Sequence, residues 1–174
     1  MINNIIPFAN IIQSQRGSLF DLPKVLAFDP GETVGWAFMN GQFLDDCGQH
    51  RTTEFTRPQI MGIGELIRSI APNVVVCESY RVYGWKTESH ANNELHTSQI
   101  IGIIRSICLD WGIPYAMQSA QIAKGFCTDE KLQQWGFWQT GQKHARDAIR
   151  HAAYYQIFGA LDKCWTAAGT PNQK

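Results

Sequence analysis

The sequence lacks cysteines arranged for a disulfide framework or a structural zinc site. The 174-residue chain has five cysteines, an odd number with no Cys-x-x-Cys pair. Cys77 and Cys108 lie in apolar runs and are predicted to be buried thiols. Cys47 and His50 have the spacing of a metal-ligand pair, but no second pair accompanies them. This usage suits a reducing cytosol.

The sequence also lacks long apolar segments and an excess of one charge. It does not open on a basic region followed by an apolar stretch, and no run is long enough to span a bilayer, so we expect a soluble, cytoplasmic protein with no membrane partner. Basic and acidic residues both number 15, which argues against a strong non-specific binder of polyanions but is compatible with a local basic face. This length is most simply one domain.

The chain is organised around an apolar run that ends in an acid. Residues 25–28 are Val-Leu-Ala-Phe, Asp29 follows them, and a Pro-Gly turn comes next. An acid between a buried strand and a turn is predicted to lie at the C-terminal end of that strand. Residues 35–39 then predict an antiparallel second strand, the Asn-Gly pair at 40–41 a hairpin turn, and residues from 42 onward a third strand.

A second buried run also ends in an acid. Residues 57–70 carry apolar side chains at helical spacing, and Ala-Pro-Asn at 71–73 stops that helix. The β-branched run at 74–76 leads to Glu78 and is typical of a strand covered by helices on both faces. Because a helical crossover precedes it, this strand is predicted to lie parallel to the first. Asp29 and Glu78 would then emerge at the same sheet edge, where α/β proteins place their sites.

The C-terminal half predicts one more strand and four helices. A broadly apolar helix over about residues 95–111 is either deeply buried or covered by a partner subunit. A short strand at 115–117 precedes two small helices, one containing Lys124 and the other Lys131. The last helix is predicted from residue 143 to about residue 158, with alanines that allow close approach to the sheet.

Carboxylates from three elements are predicted to converge. On the last helix, His144, Asp147 and His151 share one face. Asp147 together with the two strand-end acids would form a set of hard oxygen ligands suited to Mg²⁺ or Mn²⁺. Two such ions can activate a water and stabilise the leaving oxygen in phosphodiester hydrolysis. His144 would be a fourth ligand or would position the attacking water.

Ordinary structural roles are the alternative for each of these acids taken alone. Asp29 has the setting of a turn residue, and Glu78 that of a loop acid. Asp147 could be a surface acid paired with Arg150. The ordered combination, and not any one residue, is what favours a metal site.

Basic and aromatic side chains near this edge are candidates for DNA binding. Cations in the C-terminal part could contact phosphates. They are Lys124, Lys131, Lys143, Arg146 and Arg150. The loop after the second acid carries aromatic rings that could stack on bases or wedge into unpaired DNA, and two cations beside them. These are Tyr80, Tyr83, Trp85, Arg81 and Lys86. Solvated surface charge and ordinary packing over the sheet edge are the alternatives.

Three motifs together resemble the RuvC family of Holliday-junction resolvases over about residues 24–160. They are Asp29-Pro-Gly31 on the first strand, Glu78 at the end of a central strand, and His144-Ala-Arg-Asp147 on the final helix. The resemblance implies an RNase H-like α/β fold, with a mixed central sheet, three antiparallel strands first, and helices on both faces. It also implies a homodimer that makes Mg²⁺-dependent paired incisions in four-way DNA junctions.

The resemblance carries over to single residues. It implies two metal ions per active site, with Asp29, Glu78, His144 and Asp147 as their ligands. Lys124 and Lys131 fall near the family's active-site lysines, and Lys124 is expected to be catalytic. Residues 79–85 and 123–131 resemble phage-encoded members, which would act in the host-cell cytoplasm. Residues 1–23 are predicted as a leader that is a short helix, an arm or partly ordered, and residues 161–174 as a tail.

Other functions are compatible with the same residues. An RNase H-like nuclease could act on another substrate, such as an RNA–DNA hybrid or a flap. A non-catalytic junction-binding protein is a second alternative, although retention of all the acids argues against it. An actin-like phosphotransferase also uses strand-end acids, but it requires two such domains and this chain has room for one.

Overall fold

A mixed sheet with helices on both faces forms the centre of the computed structural model, which describes residues 6–51, 57–79, 91–159 and 164–165. The strands are β1 Lys24–Asp29, β2 Thr33–Asn40, β3 Phe43–Arg51, β4 Val74–Ser79, β5 Tyr115–Ser119 and β6 Cys164–Trp165. The helices are α1 Phe8–Arg16, α2 Arg57–Ile70, α3 Ala91–Asp110, α4 Ala120–Phe126, α5 Asp129–Gln134 and α6 Lys143–Phe158.

The strand order is β3-β2-β1-β4-β5-β6. The first three strands form an antiparallel meander, β1, β4 and β5 run parallel, and β6 returns antiparallel to β5. The predicted mixed sheet is therefore confirmed. Because the three parallel strands are adjacent, their carboxyl ends form one edge at the middle of the sheet.

The β2–β3 hairpin differs by one residue from its prediction. Asn40 pairs with Phe43, so the connecting loop is Gly41 and Gln42 and the third strand begins at Phe43. Gly41 has a φ of +60°, a left-handed conformation that glycine adopts without strain. The Asn-Gly signal placed the turn correctly, but strand pairing extends through the asparagine.

Each face of the sheet carries its own apolar core. Val25, Ala27, Val74 and Val76 face one side with α1 and α6, and the intervening residues Leu26, Phe28, Val75 and Cys77 face the other with α2 and α3. This alternation is the two-residue period of a strand buried on both faces. The α3 helix is buried through Ile100, Ile104 and Cys108, whereas Leu109 is exposed.

Helix α6 lies close to the sheet because small residues face it. Ala145, Ala148, Ala152 and Ala153 are all fully buried. The contact is tightest at Gly35 of β2, where a Cβ atom would come within 2.0 Å of the His144 carbonyl oxygen. A side chain at Gly35 would therefore displace the start of α6.

Residues 8–16 form a helix, which the sequence left open. Phe8 and Ile12 are buried in the core that α6 shares, and the Arg16 side chain donates a hydrogen bond of 2.7 Å to the Tyr155 carbonyl. Docking on α6 thus supplies the apolar contacts that so short a helix needs for stability.

Two negative findings concern the part of the chain that the structure describes. None of its helices has both the length and the apolar character required to cross a bilayer. Cys47 and His50 lie three residues apart on β3, and successive side chains of a strand alternate between its faces. They consequently point to opposite faces and do not form a ligand pair.

Candidate active site

The three predicted acids meet at the carboxyl edge of the parallel strands. Asp29 ends β1, Glu78 lies near the end of β4, and Asp147 projects from the first turns of α6. The strand register places Phe28 opposite Cys77, so the next residues along, Asp29 and Glu78, are neighbours on the face that α6 covers. Asp29 and Asp147 are buried, and Glu78 is half-buried.

Lys124 links two of these acids. Its Nζ lies 3.2 Å from Glu78 Oε2 and 3.1 Å from Asp147 Oδ2. Helix α4, which carries the lysine, begins directly after β5, and this connection brings Lys124 to the same sheet edge. Its ammonium group compensates negative charge where the two carboxylates approach each other.

His144 contacts the third acid. Its Nδ1 lies 2.7 Å from Asp29 Oδ2, and its backbone N–H donates a 3.0 Å hydrogen bond to the Gln49 side-chain oxygen. The β3 residue Gln49 thus holds the first turn of α6, where backbone N–H groups have no partner within the helix. The structure therefore brings His144 together with Asp29, Glu78, Asp147 and Lys124.

His151 is a neighbour of the site that was not among the predicted site residues. It is fully buried, its Nε2 lies 3.0 Å from Glu78 Oε2, and its Nδ1 lies 3.0 Å from Gln118 Oε1. Its place one turn after Asp147 was visible in the sequence. What could not be seen there was that β5 supplies a polar partner, Gln118, on the other side of the ring.

Arg150 anchors Asp147. Its guanidinium donates to Asp147 Oδ1 at 2.5 Å, to the Asp129 carboxylate, and to the Cys127 carbonyl at 2.9 Å. Arg150 is itself buried, and so the pairing with Asp147 is not the surface contact that was the alternative. It joins the start of α5 to α6 behind the acid cluster.

Burial and crowding shift the proton affinities of these groups. Burial, reinforced by the charges of Glu78 and Asp147, raises the pKa of Asp29 to about 8. Burial alone would raise the pKa of Glu78 as well, but the hydrogen bond and charge of His151, with Lys124, outweigh it and lower that pKa to about 2.

The remaining two groups shift in opposite directions. Burial, helped by nearby lysines, lowers the pKa of His144, so its imidazole is neutral at pH 7. Burial opposes the charge of Lys124, but Glu78 and Asp147 outweigh it and raise the lysine pKa. His144 Nδ1 and Asp29 Oδ2 lie at hydrogen-bond distance, 2.7 Å apart.

The donor set suits a hard divalent cation in chemistry, although its side chains are engaged with one another. Across the described ranges, no three His, Cys, Asp or Glu side chains are arranged as a metal-ligand group. Glu78 and Asp147 contact Lys124 instead, and Asp29 contacts His144. Crowded carboxylates, one of them with a raised pKa, favour the arrival of positive charge, and oxygen donors suit Mg²⁺ or Mn²⁺.

A cleft of about 620 Å³ opens beside the acids between α4, α5 and α6. Its lining combines four cations with three acids and a hydroxyl: Lys124, Lys143, Arg146, Arg150, Asp129, Glu130, Asp147 and Thr128. Arg146 is held in place by a 2.5 Å hydrogen bond to the Gln139 carbonyl and by the Trp138 ring, 4.4 Å away.

Lys131 does not share the cleft with the predicted DNA-binding cations Lys124, Lys143 and Arg146. Its ammonium group donates to the Phe126 carbonyl at 2.8 Å and lies 3.6 Å from the centre of the Phe126 ring, and it does not line the cleft. The predicted loop residues lie outside the described residues, and their role stays a prediction. They are Tyr80, Arg81, Tyr83, Trp85 and Lys86.

Comparison with known proteins finds likeness in structure alone. No family model matches the chain, and no curated protein matches it. Thermus thermophilus RuvC in complex with a Holliday junction substrate is similar over 82% of this chain and 98% of that one, with 13% identity and a TM-score of 0.65.

Two further solved structures are also similar to this chain in fold. A second Thermus thermophilus RuvC structure covers 76% of this chain and 93% of its own, with 16% identity and a TM-score of 0.56. The yeast mitochondrial Holliday junction resolvase Ydc2 is similar over 87% of this chain and 85% of its own, with 13% identity and a TM-score of 0.52. At these identities the likeness shows a shared fold, and the predicted RNase H-like architecture is confirmed.

Proposed function

We propose that this protein is a metal-dependent, structure-selective DNA endonuclease that resolves four-way junctions by paired, symmetric phosphodiester hydrolysis. The single observation that carries the proposal is the convergence of Asp29, Glu78 and Asp147 around Lys124 at the carboxyl edge of the sheet. The shared fold with RuvC, which was solved in complex with a Holliday junction, and with the Holliday junction resolvase Ydc2 supports junction DNA as the substrate.

Asp29, Glu78 and Asp147, with His144 as fourth donor, would hold two Mg²⁺ ions, and Mn²⁺ would substitute. When bound, these ions would supply activation of the attacking water and charge stabilisation of the leaving oxygen. Arg150 engages one oxygen of Asp147 and leaves the other directed toward Lys124.

The cations of the site have separate tasks. Lys124 places an ammonium group beside two acids, where it can also stabilise charge that develops on a phosphate. Lys143 and Arg146 line the adjoining cleft and would contact neighbouring phosphates of the cleaved strand. The alternative role of His144, in place of a metal ligand, is to position the attacking water beside Asp29.

Cleavage of a synthetic junction tests the proposal. Purified protein is incubated with an end-labelled four-way junction in Mg²⁺ and then in EDTA, with Asp29→Asn alongside. We expect symmetric paired nicks that EDTA and the substitution abolish, while Asp29→Asn still binds the junction. Full activity of Asp29→Asn would contradict the metal site.

The same assay separates the alternatives. Faster cleavage of flaps or RNA–DNA hybrids than of junctions would favour an RNase H-like nuclease of different substrate choice. Tight junction binding without metal-stimulated nicks would favour a binding protein. ATP binding in calorimetry would favour a phosphotransferase.

A homodimer is part of the proposal, because two active sites related by a two-fold axis can reach two opposed strands of a junction. The resemblance of residues 79–85 and 123–131 to phage-encoded members leads us to assign the protein to a phage, with action in the host-cell cytoplasm. Light scattering at micromolar concentration should give twice the chain mass of 19.6 kDa. A monomer would contradict the dimer.

A further inference from the structure

A buried histidine stands directly behind the acid cluster. His151 has no solvent exposure, and its ring bridges Glu78 Oε2 and Gln118 Oε1 at 3.0 Å on either side. Three separate elements build this bridge, since Glu78 is on β4, Gln118 on β5 and His151 on α6.

The strand register explains how the bridge forms. Glu78 and Gln118 are paired residues of neighbouring parallel strands, so their side chains lie side by side on the face that α6 covers. His151 lies one helical turn after Asp147 and enters the space between them. The imidazole meets both partners because it carries a nitrogen on each side of the ring.

We propose that His151 is a positioning residue that orients Glu78 for metal binding. Its Nε2–H donates to Glu78 Oε2, and the side-chain amide of Gln118 packs against the Nδ1 side of the ring and keeps the ring from turning. One oxygen of Glu78 is thereby tied to α6, and the carboxylate is held in one orientation beside Asp29 and Asp147. Partners behind a ligand commonly control metal affinity in this way. This inference rests on the proposed function, because it assumes that Glu78 is a ligand.

Metal titration of four proteins tests the inference: wild type, His151→Leu, His151→Gln and Gln156→Leu. The amide nitrogen of glutamine at position 151 can replace Nε2 as donor to Glu78, whereas leucine cannot. Gln156 is the matched control, because it is another fully buried polar residue of α6 and its side-chain amide donates to the Pro23 carbonyl, away from the acids. Mn²⁺ affinity is measured by calorimetry and by electron paramagnetic resonance, and junction binding is measured in EDTA.

We expect His151→Leu to weaken Mn²⁺ binding by about 10- to 100-fold, with junction affinity in EDTA unchanged. His151→Gln should recover most of that loss. Gln156→Leu should lower thermal stability but leave Mn²⁺ affinity at the wild-type value. The concentration of Mg²⁺ that gives half-maximal cleavage should rise in His151→Leu in the same proportion as the Mn²⁺ dissociation constant.

The outcomes are distinguishable. Unchanged Mn²⁺ affinity in His151→Leu, or an equal loss in Gln156→Leu, would overturn the positioning role while leaving the proposed function intact. Failure of the wild type to bind Mn²⁺ would overturn both. If His151→Leu does not fold, Gln118→Leu gives the test from the other side of the ring, and wild-type affinity in that variant would overturn the inference.

Discussion

At the scale of single residues, ionisation of the buried Asp29 lowers the stability of the folded protein when no metal ion is bound. Its folded-state pKa of about 8 lies above the ordinary value of 3.8, so between these two pH values the folded protein holds more protons than the unfolded chain. The stability of the metal-free protein should therefore fall as the pH rises through this range. Glu78 has the opposite effect, because its pKa is lowered in the folded protein. Its ionised form stabilises the fold, and this contribution to stability is lost only as the pH falls from 4.5 toward about 2.

Asp29→Asn should consequently stabilise the metal-free protein while abolishing cleavage. Asparagine keeps the shape of the side chain and can donate to His144 Nδ1, but it does not ionise. In EDTA at pH 8 we expect a gain of about 1–3 kcal/mol in the free energy of unfolding, which corresponds to about 2–4 °C in Tm per kcal/mol for a chain of this size.

Thermal unfolding in EDTA from pH 4 to pH 8 measures this effect. The difference between Asp29→Asn and wild type should fade toward pH 4, where the wild-type carboxyl group is protonated as well. The exposed acid Asp45 provides a control, because Asp45→Asn should show no such pH-dependent gain. A pH-independent difference for Asp29→Asn would show that ionisation of Asp29 is not its cause.

At the scale of secondary-structure elements, the distance between α6 and β2 controls the site. Gly35 pairs with Asp29 across the first two strands, and the backbone at His144 lies directly over it. One small residue thus sets how closely the helix that carries His144 and Asp147 approaches the strand that carries Asp29.

Gly35→Ala should therefore damage both stability and cleavage. The added methyl group would come within 2.0 Å of the His144 carbonyl oxygen, and α6 would have to move outward. We expect a loss of about 1–3 kcal/mol in the free energy of unfolding, or more if α6 cannot shift, and a reduced cleavage rate in Mg²⁺.

Gly62→Ala is the matched control, because that glycine lies within α2 and a Cβ atom there meets nothing within 4 Å. Alanine at this helical position should stabilise by about 1 kcal/mol and leave cleavage unchanged. Denaturant unfolding and cleavage assays of both variants make the comparison. Wild-type stability in Gly35→Ala would refute the close approach of α6.

At the scale of the whole molecule, equal numbers of acidic and basic residues hide an uneven distribution. Three acids meet at the carboxyl edge of the parallel strands, and the cleft beside them is lined by four cations and three acids. A net charge of zero is therefore compatible with local binding of a polyanion, because binding depends on the charges within about a Debye length of the phosphates.

Salt dependence of junction binding should locate this basic face. Lys143→Gln should weaken junction binding in EDTA and reduce the slope of log affinity against log salt by about 1, because one phosphate contact is lost. Lys24→Gln is the control, since Lys24 begins β1 at the opposite end from Asp29 and should leave the slope unchanged. Fluorescence anisotropy across a salt series measures both, and equal slopes for all proteins would exclude Lys143 from the DNA contact.

Most of the architecture was predictable from local pattern. Apolar runs that end in acids, helical periodicity and turn residues located the first five strands and the last helix, because burial imposes distinct periods on strands and helices. The end of β2 was off by a residue, since pairing with β3 continued through Asn40. Helix α1 was undecided, because a short helix among polar residues depends on contacts with α6 that no local pattern contains.

For the site, the sequence by itself determined which acids stand at strand ends and which residues share a face of the last helix, because backbone periodicity alone decides both. Tertiary structure alone decided the partners: Lys124 between two acids, His144 on Asp29, His151 between Glu78 and Gln118, and Lys131 turned away to Phe126. Those contacts join residues from separate elements, and they depend on how closely α6 packs on the sheet, which is a property of the whole packed core.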